Sequence, residues 1–104
     1  MSTSNYINAA QQRVLNTLLL LCGHEIMGLA PGEISKALRT SASNVTRDLA
    51  NLREAGLAEP LESGKWRVTP RLGQQAIKIL NALNDATSRV DEVRRRFGMG
   101  EAHR

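Results

Sequence analysis

Apolar positions recur every three or four residues near the start of the chain and predict an amphipathic helix. The helix is expected from about Tyr6 to Cys22, and Gly23 ends it. Its wide apolar face comprises Ile7, Ala10, Val14, Leu18 and Leu21, with Leu15, Leu19 and Cys22 as an adjacent stripe. Residues 23–29 predict a connector that contains at most a short strand over 25–27.

Two shorter helices joined by a tight turn are predicted next. Pro31 suits the first turn of a helix, where its missing N–H is not needed, and Glu33 favours the positive end of the helix dipole. A hydroxyl-rich run, residues 39–43, then supplies residues typical of helix N-caps. The third helix is expected over about 41–55, with Gly56 as its left-handed cap. The inward faces of the two helices are formed by Ile34, Ala37, Leu38, Val45, Leu49 and Leu52.

After Gly56 the apolar period changes from helical to alternating. Trp66 and Val68 point to one side of a short run, and a Ser-Gly pair separates this run from Leu57–Leu61, which predicts a hairpin. Pro60 limits its strand to an edge or an end. Trp66 is expected in the core because it alternates in phase with Val68.

A long helix is predicted over residues 71–97, because its apolar residues follow a heptad for nearly four repeats. This pattern predicts a coiled-coil dimer interface, although the same face could fold back onto the chain's own core around Ile77 and Leu80. The expected dimerisation residues are Leu72, Ala76, Ile79, Leu83, Ala86, Val90, Val93 and Phe97. Residues 98–104 are expected to form a flexible tail.

Composition adds a basic character. The 104 residues carry a net charge of +4, and of the 14 basic residues only Lys36, Lys65 and Lys78 are lysines, the rest being Arg. Guanidinium groups pair bidentately with phosphates and guanine edges, so this bias suits nucleic-acid contact. The single cysteine, Cys22, is expected as a small core residue. The polar N-terminus and the short apolar runs predict neither a signal peptide nor a membrane span, and hence a cytoplasmic protein.

The order helix, short helix, turn, helix, hairpin and long helix predicts a mainly α fold with a small β-hairpin. The predicted organisation is a winged helix-turn-helix domain over 6–70, a dimerisation helix over 71–97 and the tail. In such a unit the second of the two short helices enters the major groove.

The chain resembles the winged-helix domain of the IclR family of bacterial regulators, with MarR-like winged helices as a near alternative. The similar segments are residues 28–38, 43–52, 55–57, 64–68 and 70–72. Three features depart from the pattern. Arg39 stands where many such turns have Gly, the wing carries Glu59 and Glu62, and the large effector domain of the family does not follow. No small-molecule effector site, cofactor or metal is therefore expected.

The resemblance implies a recognition helix over about 41–55 in the major groove and a wing over 57–69 on the backbone or in the minor groove. The DNA-contacting residues that it implies are Thr40, Ser41, Ser43, Asn44, Thr46, Arg47, Asn51, Lys65 and Arg67. Each has a structural alternative: Asn44 and Thr46 as helix caps, Arg47 paired with neighbouring Asp48 or Asn51, and the wing cations as ordinary exposed charges. The cations of Arg94–Arg96 are expected to interact favourably with the negative, C-terminal end of the helix dipole.

The expected function is sequence-specific binding of double-stranded DNA by a homodimeric transcription regulator of a bacterium or phage. The alternative is a winged helix used as a protein-interaction or assembly module. An enzyme is not expected, because the sequence offers no nucleophile–base pair, metal-ligand cluster or phosphate-binding glycine loop.

Overall fold

The computed structural model describes residues 3–98 and has the predicted order of elements. After a short 3₁₀ helix come α1 (Ala9–Leu21), α2 (Pro31–Leu38) and α3 (Ala42–Glu54). The strands β1 (Ala58–Pro60) and β2 (Trp66–Val68) and the long helix α4 (Pro70–Arg96) follow. The mainly helical fold with a small hairpin and a long C-terminal helix is confirmed. The predicted tail lies outside the described residues except for Gly98.

The chain divides into two compact units, Met1–Leu72 and Gly73–Arg104. The first unit has a core between α1, α2, α3 and the hairpin, built almost entirely from aliphatic side chains. The fully covered members of this core are Leu21, Ile34, Val45, Leu49, Leu52, Ala58 and Val68. Five of these seven come from the predicted inward faces of the three helices that the 3.6-residue period indicates.

Helix α1 is rotated relative to the prediction. Thr17 is fully buried, whereas Leu15 and Leu19 are more than half exposed. Thr17 can enter the core because its hydroxyl donates to the carbonyl of Arg13 at 2.9 Å, so burial leaves no polar group unsatisfied. The expectation of a buried Cys22 is wrong, since this residue is exposed at the end of the helix.

The end of α3 is closed as predicted by Gly56 in the left-handed conformation, at φ 77°. The amide of Gly56 donates to the carbonyl of Arg53, and the amide of Leu57 donates to that of Leu52, both at 2.9 Å. These two bonds form a Schellman motif, which satisfies carbonyls that the helix leaves unpaired.

The hairpin pairs β1 and β2 antiparallel, with Glu59 opposite Arg67 and Pro60, the last residue of its strand, opposite Trp66. The expected short strand over 25–27 is wrong, because those residues form a turn. Leu29 supplies the additional pairing instead, exchanging two backbone hydrogen bonds of 2.8 Å with Trp66. This bridge joins the α1–α2 connector to the hairpin.

Gly28 allows the hairpin to lie this close to the connector. It has φ +74°, and a Cβ there would stand 2.9 Å from Leu61 Cδ1 and 3.0 Å from the backbone oxygen of Trp66. A side chain would therefore meet both a strained backbone conformation and a backbone atom that is itself held by the Leu29 bridge.

Gly28→Ala should lower the free energy of unfolding by at least about 1–2 kcal/mol, the cost of the left-handed conformation to an L-residue. The matched control is Gly32→Ala, since Gly32 lies in α2 and has no atom within 4 Å of its Cβ position. Urea denaturation measures both variants. Equal stabilities of the two variants would contradict the close packing at Gly28.

Candidate nucleic-acid interface

Helix α3 has one buried and one bare side, as a recognition helix requires. Its buried residues are Val45, Asp48, Leu49 and Leu52. Four of the residues that the resemblance assigns to DNA contact are exposed on the rest of its surface: Ser43, Thr46, Arg47 and Asn51. The aliphatic stripe therefore fixes which side of α3 faces the solvent.

The residues at the start of α3 stabilise the turn that precedes it. Ser41 is the N-cap, and its hydroxyl accepts a hydrogen bond from the amide of Asn44 at 3.1 Å. The side-chain amide of Asn44 donates to the hydroxyl of Thr40 at 3.0 Å. The hydroxyls of Ser41 and Ser43 lie 3.3 Å apart. Ser41 therefore has the capping role that was weighed for Asn44, and the Asn44 side chain instead holds Thr40 in the turn.

Two further candidates bond to their own helix. The Thr46 hydroxyl donates to the carbonyl of Ala42 at 3.1 Å, and the Asn51 side-chain amide donates to the carbonyl of Arg47 at 2.9 Å. These bonds orient the two side chains while leaving acceptor oxygens on the exposed surface. Among the described residues, no hydrogen bond or ion pair engages the guanidinium of Arg47 itself.

Asp48 does not pair with Arg47, its neighbour in sequence, but with Arg13 on α1. Arg13 Nε donates to Asp48 Oδ2 at 2.6 Å and Nη2 donates to Oδ1 at 2.9 Å, which makes a bidentate ion pair. The Asp48 side chain is 5% exposed and the Arg13 side chain 19%. Hydrogen bonding to Asp48 raises the pKa of Arg13 above its ordinary value, so the guanidinium stays charged.

This pair decides the charge of the interface. Between Ile34 and Arg53 the sequence has a single acidic residue, Asp48, and the structure turns it inward. The four basic side chains of the same segment are all exposed: Lys36, Arg39, Arg47 and Arg53. Two exposed carboxylates, Glu33 and Glu54, lie just outside this range at the start of α2 and the end of α3. Four exposed cations against two exposed carboxylates leave residues 31–54 with an exposed charge of +2, which suits a polyanionic partner.

The wing contributes less charge than its sequence suggests. Arg67 Nε donates to Glu59 Oε2 at 2.8 Å across the two strands, with both side chains more than a third exposed. Arg67 Nη1 also reaches the carbonyl of Glu25 at 3.4 Å. Lys65 is half-buried at the end of the hairpin turn, and its side chain has no ion pair within residues 3–98. Of the two predicted wing contacts, Lys65 is thus the more available.

Trp66 packs against the core, as predicted from its alternation with Val68. Its ring also lines a shallow hollow beside α3, together with Thr46, Ala50, Arg53 and Glu54. The hollow joins the surface of α3 to that of the hairpin.

The heptad face of α4 is bare. Along α4 no residue is buried, and Leu72 is the one member of the heptad that is partly covered, by the core of the first unit. The large members that follow, together with Phe97 just beyond the helix, are at least half exposed: Ile79, Leu83, Val90, Val93 and Phe97. Ile77 and Leu80, the residues expected to fold back, are each 58% exposed.

No cluster of three or more potential metal-ligating side chains occurs in the described part of the chain. One of the two histidines of the sequence, His103, lies outside the described part. Within the same part, no helix has the length and apolar character needed to cross a membrane. Comparison of the chain with protein-family models, curated proteins and solved structures gives no match.

The Arg13–Asp48 pair should stabilise the first unit more than the Glu59–Arg67 pair does, because it is far less exposed. We expect Arg13→Ala and Asp48→Ala each to destabilise the protein, and the double variant to lose much less than the sum of the two.

The matched control is the same cycle on Glu59 and Arg67, with every unfolding free energy taken from urea denaturation. A coupling at Arg13–Asp48 no larger than at the wing pair would show that the ion pair does not hold α1 and α3 together.

Proposed function

We propose that this chain is a winged helix-turn-helix transcription regulator that binds double-stranded DNA as a homodimer. The carrying observation is the surface of residues 34–53, where the aliphatic side chains and the single carboxylate of this range, Asp48, face inward while the cations and amides face the solvent. In this proposal α2, the turn and α3 form the helix-turn-helix, and the hairpin is the wing. The similarity to IclR winged helices, noted from the sequence, supports the same assignment.

The residues divide into two kinds of contact. Arg47 and Asn51 project from the exposed side of α3, and with Thr46 they are the proposed base-reading residues, because guanidinium and amide groups match base edges in the major groove. Thr40, Ser41, Ser43 and Lys65 are proposed as backbone contacts, where short hydroxyls and a flexible ammonium group suffice. Asn44 acts chiefly by shaping the turn. Arg67 contributes only if phosphate displaces Glu59.

Dimerisation is proposed through the heptad face of α4. The 27-residue helix carries a continuous exposed stripe of Ile, Leu and Val that Phe97 extends. Pairing with another apolar surface would stabilise it, since burial of each such side chain contributes about 1.5–3 kcal/mol to the free energy of association. A second copy presents the same stripe, and heptads pair with heptads. Two recognition helices would then read a pseudo-palindromic site with half-sites about one helical turn, roughly 34 Å, apart. Such a regulator acts in the cytoplasm.

The hairpin favours the alternative function, a protein-interaction or assembly module. Over residues 57–69, Glu59 and Glu62 balance Lys65 and Arg67, so this segment brings no net charge to phosphates. A chain that still dimerises but does not bind DNA even at low salt would favour this alternative.

Arg47→Ala should weaken binding to the preferred DNA by about 1–3 kcal/mol, roughly 5- to 150-fold, and relax the preference at one base position. The preferred duplex is obtained by selection from a random pool, and affinities are measured by mobility shift at two salt concentrations. The matched control is Lys78→Gln, which removes one positive charge from α4 outside the heptad face. An equal loss on preferred and unrelated duplexes would contradict base reading by Arg47.

Leu83→Glu combined with Val90→Glu should convert the dimer into a monomer, because two carboxylates would enter the apolar seam. Ser88→Glu, on the opposite side of the same helix, is the matched control and should leave the dimer intact. Light scattering measures the mass of each variant. A double variant with the same mass as the wild type would exclude the heptad face as the interface.

A further inference from the structure

Two helices of the first unit, α2 and α3, end in a Schellman motif, but they have different residues at its left-handed position. At the end of α3 that position is Gly56. At the end of α2 it is Arg39, whose amide donates to the carbonyl of Lys36 at 3.3 Å while the amide of Thr40 donates to that of Ser35 at 3.1 Å. The amides of Arg39 and Thr40 thus bond to α2 in the same way as the amides of Gly56 and Leu57 bond to α3.

Arg39 adopts the left-handed conformation, with φ 53° and ψ 51°. Within the described residues it is the one non-glycine position with positive φ, whereas five glycines share that property. The left-handed region brings a Cβ too close to the following carbonyl oxygen, so a side chain at this position destabilises a fold that glycine would accommodate without strain.

The surrounding turn holds this conformation in place. The Ser35 hydroxyl donates to the carbonyl of Thr40 at 2.7 Å, and the Thr40 hydroxyl accepts from the side-chain amide of Asn44 at 3.0 Å. Together with the backbone bonds of the motif they tie the turn to both α2 and α3. A strained residue persists where its neighbours determine the conformation in this way, and such residues cluster at functional sites.

No contact of the Arg39 side chain with the described residues offsets the strain of its backbone. Its side chain is exposed, is absent from the core, and has no hydrogen bond or ion pair with the described residues. It extends from the turn two residues before the N-cap Ser41, beside the exposed Lys36. Between residues 34 and 53 the one carboxylate, Asp48, is already bound to Arg13, and neither of the exposed Glu33 and Glu54 forms an ion pair with Arg39.

We propose that Arg39 is a phosphate-binding residue, which anchors the turn between α2 and α3 to the DNA backbone. This inference rests on the proposed function and adds a contact that the resemblance does not supply, since the corresponding turns commonly have glycine. A guanidinium binds phosphate through two parallel charge-assisted hydrogen bonds, and phosphate is the anionic group that the DNA backbone presents. A residue in the turn lies outside the helix that enters the groove, so it contacts the backbone and not the bases.

The test compares Arg39→Gly, Arg39→Gln and Arg39→Lys in the full chain. Thermal unfolding is measured for each, along with the affinity for the selected duplex and for an unrelated duplex at several salt concentrations. Arg39→Gly removes both the strain and the charge, Arg39→Gln removes only the charge, and Arg39→Lys retains both. Lys78→Gln is again the matched control for the loss of one charge.

Arg39→Gly should raise the midpoint of thermal unfolding and yet weaken DNA binding. Arg39→Gly and Arg39→Gln each remove two phosphate contacts from the proposed dimer, one per protomer. At ~0.1 M salt they should lose roughly ten- to hundredfold in affinity, by the same factor on both duplexes, and the slope of log K against log salt should flatten by about 1.8, which is about 0.9 per contact. Arg39→Lys and Lys78→Gln should keep the slope of the wild type.

An unchanged slope in Arg39→Gln overturns the inference, as does a loss in Arg39→Lys as large as in Arg39→Gln. If Arg47→Ala still weakens binding in that case, the proposed function stands without the Arg39 contact. If the wild type itself binds neither duplex at low salt, the proposed function fails and the inference fails with it.

Discussion

The ion pair between Arg13 and Asp48 fixes α3 in the orientation on which the candidate interface depends. A carboxylate between Val45 and Leu49 would oppose burial of the aliphatic stripe if it had no partner, because a buried unpaired charge is strongly destabilising. Arg13 supplies the partner from α1 in a bidentate geometry that tolerates little rotation of either helix. Since α3 cannot turn about its axis without breaking this geometry, the side that bears Arg47 and Asn51 remains outward.

The same interaction separates charges that lie next to each other in sequence. Arg47 and Asp48 are neighbours, and on a freely rotating surface helix the carboxylate would partly neutralise the guanidinium. Because successive residues of a helix point about 100° apart, burying Asp48 leaves Arg47 on the solvent side. The pair therefore has an electrostatic consequence as well as a packing one, since it withdraws from the solvent side the one carboxylate that lies between Lys36 and Arg53 and leaves acidic groups only at the two ends, Glu33 and Glu54.

Periodicity in the sequence was sufficient to predict the helices, the hairpin, the cap at Gly56 and most of the core, since these depend on neighbours a few residues apart. It did not predict the rotation of α1. A wide apolar face has no unique centre, and the preference for Thr17 over Leu15 and Leu19 in the core follows from the contact between Arg13 and Asp48, which are 35 residues apart. Of the candidate site, the exposure of Arg47 and Asn51 could be predicted. The pairing of Arg67 with Glu59 across the hairpin and the hydrogen bond from Asn44 to Thr40 are choices between several possible side-chain partners, which the periodicity does not specify. The heptad of α4 predicted an apolar stripe, but the pattern alone did not decide between a second copy and the chain's own core as the surface that covers it.

Arg39 and Gly56 show why local rules fail at one helix end and hold at the other. Both positions need a left-handed residue, and the rule that favours glycine concerns the stability of the chain alone. At Gly56 the packing acts in the same direction, because a Cβ would stand 3.2 Å from Arg71 Nη1, so the rule holds. At Arg39 a cationic side chain stands on a surface whose central carboxylate, Asp48, is buried, and hydrogen bonds from Ser35 and Asn44 hold the strained turn in place. Under the proposed function, phosphate binding by Arg39 accounts for this conflict between the local preference and the observed residue, since strained residues persist where a protein binds its partner.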